Sequence, residues 1–447
     1  MTINNFRSNL YQKTINSISF LTLLVFYPLN ASATELQSWI KPISELDSGD
    51  TAWVMISTIL VLFMTIPGLA LFYAGMVRKK SVLATMVQSF AICAMVAVIW
   101  VICGYSLAFT PNNPFIGGTE RFFLQGMNVF TNQQLLTIYP GAPTIPEAVF
   151  MLFQMAFAII AGAIITGAFA ERMKFSSMLL FIACWELLVY VPTAHWVWSD
   201  GGWLAKDGVL DYAGGTVIHI NAGIAGLVAA IIIGKRIGYG KEVIVPHNLV
   251  LTLIGTAMLW IGWFGFNAGS ALAADARAGM ALATTQVAAT AGALTWILIE
   301  VLRKHKPSAL GLVSGALAGL VGITPAAGYV DVQGALWIGL LSSMICFWSA
   351  THLKYRFGYD DSLDAFGIHG IGGIIGAILT GIFVSDDIAD TSTTLWIQLE
   401  SVLITIAYSG ICSIIILWVI EKTLGLRVAK DEERQGLDLV LHGERIE

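Results

Sequence analysis

Apolar runs long enough to cross a lipid bilayer recur along almost the whole chain, and that repetition restricts the fold more than any single motif. About 20 consecutive apolar residues span roughly 30 Å of hydrocarbon as a helix. Such windows lie near residues 52–76, 84–109, 147–170, 176–192, 214–234, 249–270, 279–302, 309–323, 332–352, 367–384 and 395–424. The fourth, eighth and tenth are short or broken by glycine, and the last is long enough to require tilt. With 56% hydrophobic residues, 12% charged residues and a mean hydropathy of +0.75, the chain exceeds what a soluble surface tolerates. The expected fold class is all-α, a polytopic membrane protein of eleven transmembrane helices. Net charge is −5 and there is no basic patch, so nothing suggests nucleic acid.

Residues 1–33 read as a signal peptide: Arg7 and Lys13, an apolar core from Ile18 to Leu29, then Ala31, Ser32 and Ala33 as a small-residue cleavage site. Cleavage would leave Thr34 first and place the mature N-terminus outside; a retained signal anchor is the alternative. Lys and Arg test this orientation, because cytoplasmic loops hold their excess. Loops on the side opposite the mature N-terminus, together with the tail, carry 18 of them, against 4 (Lys41, Arg121, Lys206 and Arg277) on the other side. The expected location is the inner (cytoplasmic) membrane, with the C-terminus cytoplasmic. All five cysteines, Cys93, Cys103, Cys184, Cys346 and Cys412, fall in apolar segments, which suits packing rather than a disulfide framework.

Two histidines sit inside glycine-rich spans, His219 in GGTVIHINAGIAG and His369 in AFGIHGIGGIIG. Each follows an isoleucine and is followed by Gly at +4, Ile at +5 and Gly at +7. Eleven spans divide as five, five and one, and the histidine spans close the two groups of five. A unit with an odd number of crossings must be copied upside down, which predicts two inverted five-helix repeats plus a long tilted eleventh helix. Asp211 and Asp364 precede the two histidines and suit a helix N-terminus, which puts the rings about 12 and 8 Å further in. A lone histidine on an apolar helix is most often a hydrogen-bonded core residue. A matched pair near the midplane points instead to a substrate or proton path. Zinc is a poorer reading, since no HxxxH or nearby Cys and Glu supply third and fourth ligands.

GWFGFNAGS brings Trp263, Phe266 and Ser270 onto one glycine-rich helix, with Phe266 and Ser270 on the same face. AHWVWSDGGW adds Trp196, Trp198 and Trp203, whose default role is an interfacial belt. These segments, with DYAGGTVIHINAGIAGL, AERMKFSS, GYSLAF, GLVGITPAAGY and FGIHG, resemble the ammonium transporter family, the Amt/MEP/Rh group, from about residue 50 to 445.

The resemblance implies a transporter rather than an enzyme, with no cofactor, and a homotrimer with one pore per subunit. It implies an outer ammonium site at Trp198, Phe157 and Ser270, a stacked gate of Phe157 and Phe266, and a pore and proton relay at His219 and His369. Asp211 becomes a structural and electrostatic support, and Trp263, Tyr73 and Thr324 match positions around the pore and its vestibule. The domain boundaries follow as a transmembrane domain over 34–424 and a regulatory tail over 425–447. The tail's GLRV, acidic stretch and QGLD resemble the segment through which PII-type signalling proteins act on bacterial ammonium transporters.

Magnitudes explain these residue types. Cation–π contact at a partly desolvated aromatic mouth gains about 2 kcal/mol, whereas an intact charge in an apolar lumen costs at least about 3 kcal/mol. Desolvation also favours the neutral amine, so NH3 is expected to pass, with the proton relayed separately and the uptake electrogenic. An electroneutral Rh-like ammonia channel and an ammonium sensor are the alternatives. Two residues stand outside the resemblance. Glu186 lies within the fourth span, where it could be protonated, face a neighbouring helix or modify the vestibule. Asp200, close after Trp198, is either a contributor of negative potential at the mouth or a plain loop carboxylate.

Overall fold

The computed structural model describes residues 37–389 and 393–446; the expected signal segment lies outside the described residues. Among the described residues, ten helices are long and apolar enough to cross a membrane: α1 (Ser48–Met76), α2 (Lys79–Phe109), α3 (Glu147–Phe169), α4 (Phe175–Lys206), α5 (Gly215–Ile233), α6 (Leu249–Gly269), α7 (Ala276–Leu302), α9 (Val332–Phe357), α10 (Phe366–Phe383) and α11 (Leu395–Thr423). The eleventh, α8 (Ala309–Ile323), is shorter, as its sequence window foretold. Polar residues at the apolar boundaries start many of them. Asp47, Asn248, Asp275, Ser308, Asp331 and Thr394 accept backbone N–H bonds in the first turns of α1, α6, α7, α8, α9 and α11.

The two halves meet through small residues, which lets backbones approach where hydrophobic burial offers no drive. α1 and α6, the first helices of each half, are in contact along glycine. A Cβ on Gly255 would meet the backbone of Phe72, and one on Gly262 the carbonyl of Leu60. The fifth helices of each half, α5 and α10, cross with Gly223 against the backbone of Gly370 and Gly373 against the Gly215 carbonyl. α11 lies across both: the Gln398 amide donates to Leu210 O (2.8 Å) and Ala377 O (3.1 Å), and Ser409 Oγ donates to Asn221 O (2.8 Å). At about 1.5 Å per residue this helix of 29 residues outruns the hydrocarbon and must tilt.

One feature adds to the all-α expectation. On the face carrying the α2–α3 connection, β1 (Ile40–Pro42), β2 (Val129–Phe130) and β3 (Leu135–Thr137) form an antiparallel sheet in the order β1-β3-β2, with Ile40 opposite Thr137 and Val129 opposite Leu136. A connection this long needs structure of its own. It is anchored by a buried Arg121–Glu147 ion pair at 2.7 Å, to which the Tyr105 hydroxyl donates at 3.1 Å. Trp196 is buried, its indole donating to Phe115 O at 2.7 Å, so it is a core residue rather than part of a belt. All five cysteines are free.

The opposite face holds the tail. Lys174 N donates to Leu426 O (2.9 Å) and Val428 N to Arg172 O (3.1 Å), while Val428, Leu437 and Leu441 pack with Ala84. Arg427 donates to Ile233 O (3.1 Å), at the end of α5, and to the Glu433 carboxylate (2.8 Å), which also accepts from Ile237 N (2.7 Å). The tail is thus packed rather than a solvated extension. Beneath it Glu171 joins Arg78 and Arg236, and Arg236 pairs with Asp360 at 2.8 Å. Burial would raise the Asp360 carboxyl, but the Arg236 guanidinium holds it below its ordinary value. Burial draws the neighbouring Arg172 down to about 10.

Glu433→Ala should leave the Ile237 amide without its acceptor and Arg427 with backbone carbonyls alone, a loss of about 1–3 kcal/mol. Amide exchange across residues 428–442 is then expected to quicken roughly ten-fold. Unchanged exchange would mean that the tail is held elsewhere.

Candidate functional site: an aromatic vestibule above a histidine-lined lumen

Both histidines lie in the first turns of their helices, in wide π-helical segments, Gly215–Ile220 and Phe366–Gly370. Each start is capped by a buried aspartate. Asp211 accepts from the backbone N–H groups of Gly214 (2.9 Å), Gly215 (2.5 Å), Thr216 (2.9 Å) and Val217 (3.0 Å). Its counterpart is not Asp364, as the sequence suggested, but Asp361, which accepts from Ala365 (3.0 Å), Phe366 (2.9 Å) and Gly367 (3.2 Å). Asp364 has a left-handed backbone, φ 57°, and its carboxylate pairs with Lys354 at 2.5 Å. The spacing confirms the correction, because Asp211 precedes His219 by eight residues and Asp361 precedes His369 by eight.

The capped helices bring the two rings together. His369 Nδ1 lies 3.2 Å from His219 Nδ1, with ring centroids 5.2 Å apart and planes 27° apart. Two neutral imidazoles can share that contact in one way only: one Nδ1 carries the proton and donates, and the other accepts. The two Nε2 atoms must then differ, one a donor and one an acceptor. His219 Nε2 is buried without a hydrogen-bond partner. Beside the pair is a cavity of about 10 Å³, lined also by Met64, Leu69, Phe72, Ile164, Trp263 and Phe266, about the room that one water-sized molecule needs.

Above it the passage is shut by aromatic rings. Phe157 on α3 and Phe266 on α6 lie 4.4 Å apart by centroid, and both are almost fully buried. Phe266 in turn overlies His219 at 5.9 Å, and Trp263 stacks on the same imidazole at 5.5 Å and 20°. The Trp263 indole donates to Thr324 Oγ1 at 2.9 Å, and that hydroxyl donates to Leu320 O at 2.8 Å, which fixes the ring. On the other side of the stack opens a vestibule of about 320 Å³ whose walls include Phe153, Phe157, Trp198, Asp200, Asp211 and Ser270. Trp198 meets Phe157 edge to face at 5.8 Å, and its indole donates to the Asp211 carbonyl at 2.8 Å. Ser270 Oγ donates to Phe266 O at 2.8 Å, which leaves its lone pairs to the vestibule.

The structure therefore assembles Phe157, Trp198, Ser270 and Asp211 around the vestibule and Phe266, Trp263, His219 and His369 around the lumen, with Thr324 behind Trp263. Tyr73 stands apart: its hydroxyl donates to Ile164 O at 2.9 Å, and it lines neither cavity. Glu186 faces α3 at Gly162, with both carboxylate oxygens buried and unpartnered. Sequence reasoning missed Phe153, which meets Phe157 edge to face at 4.7 Å; its position in FQMAF, four residues before Phe157, was the available signal. It also missed Asp361, for which the shared spacing of eight was the signal.

A family model described as the Ammonium Transporter Family matches residues 52–446. The chain belongs to the ammonium transporter family. Curated relatives agree: it is 47% identical over 412 residues to an ammonium transporter of Bacillus subtilis, covering 90% of this chain and 98% of that protein. An ammonium transporter of Aquifex aeolicus is 46% identical over 415 residues, covering 90% of this chain and 94% of that protein. Among solved structures, Saccharomyces cerevisiae Mep2 superposes with a TM-score of 0.80 at 35% identity, covering 87% of this chain and 89% of that one. A structure described as a sensor Amt protein matches at 0.80 and 27% identity, covering 88% and 98%. Ammonium transporter family members of this kind are multi-pass membrane transporters, not enzymes, and this chain has their helical fold.

Proposed function

We propose that the protein takes up ammonium by holding NH4+ in the vestibule, removing its proton at the Phe157–Phe266 stack and passing NH3 along the histidine pair. The observation that carries this reading is the sequence of environments along one axis: aromatic faces and a free serine acceptor, then closed phenylalanines, then an apolar lumen whose polar atoms are those of His219 and His369. The mouth suits a cation, through ring faces and the Ser270 lone pairs. The lumen suits a small neutral molecule, since the paired rings offer a donor and an acceptor without a fixed charge. The proton travels separately through the imidazole pair, so uptake is electrogenic.

The excess of Lys and Arg on the tail face supports a reading in which that face is cytoplasmic and the vestibule lies outside. In this scheme the signal peptide is cleaved, the mature protein sits in the inner membrane as a homotrimer, and a PII-type signalling protein acts through the tail.

Ammonium pulses on proteoliposomes test the scheme. Inward positive current that saturates with ammonium is expected; uptake without current would replace the relay by an electroneutral ammonia channel. The likeness to the sensor Amt protein favours a second reading, ammonium binding without conduction. Binding in the absence of both uptake and current would establish it.

A further inference from the structure

Beside the vestibule lies a second cavity of about 320 Å³, which no step of the uptake scheme uses. Its walls include Trp39, Phe109, Tyr139, Ser199, Asp200 and Lys206. Tyr139 and Asp200 also line the vestibule, so these two side chains form the partition between the chambers. The three rings are 2–3% exposed and are held from behind: Trp39 meets Tyr139 edge to face at 5.5 Å, and Tyr139 stacks on Phe150 at 4.1 Å. The Tyr139 hydroxyl is buried beside Ser199 and Asp200 and forms no well-aligned hydrogen bond. A buried polar group left in that condition has room for a better partner, a water or an ion. The Asp200 carboxylate is exposed at the mouth and has no ion-pair or hydrogen-bond partner among the described residues.

Trp39 already carries the Arg121 guanidinium over its ring at 5.1 Å; the Phe109 and Tyr139 rings, the Tyr139 hydroxyl and an unpaired carboxylate together suit a small monovalent cation. Lys206, exposed on the rim and not ion-paired, opposes such a ligand; Arg277 and Asp211 face the vestibule side. We infer that this second chamber is an outer antechamber that binds ammonium at Asp200 and Tyr139 and hands it across their partition to the vestibule. The inference rests on the uptake reading given above.

Three variants in proteoliposomes test it through the ammonium concentration that gives half-maximal current. Asp200→Asn should raise that concentration about five-fold, the weight of one partly exposed charge pair, while the saturating current changes less than about two-fold. Lys206→Gln should lower it. Gly201→Leu keeps the charge but adds bulk to the chamber wall; a Cβ there meets nothing closer than Ser199 Oγ at 3.9 Å, so the side chain starts free of clash. It should raise the concentration as Asp200→Asn does. A shift with Asp200→Asn but none with Gly201→Leu would reduce Asp200 to a distant field and overturn the chamber as a site. Identical half-saturation in all three, with the unmodified protein conducting, would overturn the antechamber alone. An unmodified protein that neither conducts nor takes up ammonium would remove the uptake reading and the antechamber with it.

Discussion

Replacing His219 with leucine is expected to cut the ammonium-evoked current of reconstituted protein by roughly 10- to 100-fold. The imidazole is the partner of His369 at 3.2 Å and carries the unpartnered buried Nε2 beside the small lumen cavity. In the proposed scheme its loss leaves His369 without a ring to exchange a proton with, and leaves a passing ammonia with one polar wall where there were two. A buried polar group left without its partner costs about 1–3 kcal/mol, and the upper part of that span gives the stated range. Leucine fills nearly the same volume between Trp263 and Phe266, so melting in detergent should stay close to that of the unmodified protein and separate a transport defect from a folding one. Recording the internal alkalinisation of the vesicles beside the current divides the two roles: current lost with ammonia flux retained assigns the ring to the proton. A current within two-fold of the unmodified protein would remove His219 from the pathway.

Asp211→Asn should be the most destabilising of the single-atom exchanges at this site. The carboxylate accepts four backbone N–H groups, two on each oxygen. An asparagine keeps one acceptor oxygen and turns its NH2 toward two other donors, so two charge-assisted bonds become contacts between donors. The expected loss is about 3–5 kcal/mol, visible as a fall in detergent melting temperature and in recovered folded protein. Asp361→Asn should follow the same course, since Asp361 serves three amides of α10. Asp364→Asn should be far milder, as it alters the pair with Lys354 and touches no amide of the helix start. Equal melting for Asp211→Asn and the unmodified protein would mean that the α5 start is held by packing instead.

That contrast also marks what the sequence could convey. Spans, their number and the inverted repeat were legible, because the hydrocarbon demands a fixed run of apolar residues and the glycine pattern after each histidine repeats at the same offsets. The pairing of the rings and the line from Trp198 to His369 were legible from residue types and the family likeness. Asp364 was expected to cap the second histidine helix, whereas the cap is Asp361, which stands eight residues before its histidine just as Asp211 does. Asp364, in a left-handed conformation, points toward Lys354 instead. Tyr73 was set near the pore because motif likeness places a residue on a helix but does not fix which face of that helix it occupies. The packed tail escaped notice because GLRVAKDEERQGLDLVLHGERIE is mostly polar; its anchorage depends on carbonyls such as Ile233 O, which no side-chain pattern announces.

The crossing of α5 and α10 is a contact of backbone with backbone, Gly223 on Gly370 and Gly373 on Gly215. Such a seam has no pliant side chain on which two bodies could slide, and prising it open would strip main-chain groups of their neighbours within hydrocarbon. The proposed uptake scheme therefore asks for a stiff frame with small shutters, in which rotations of Phe157 and Phe266 and proton exchange between rings would control traffic in place of a swing of one half against the other.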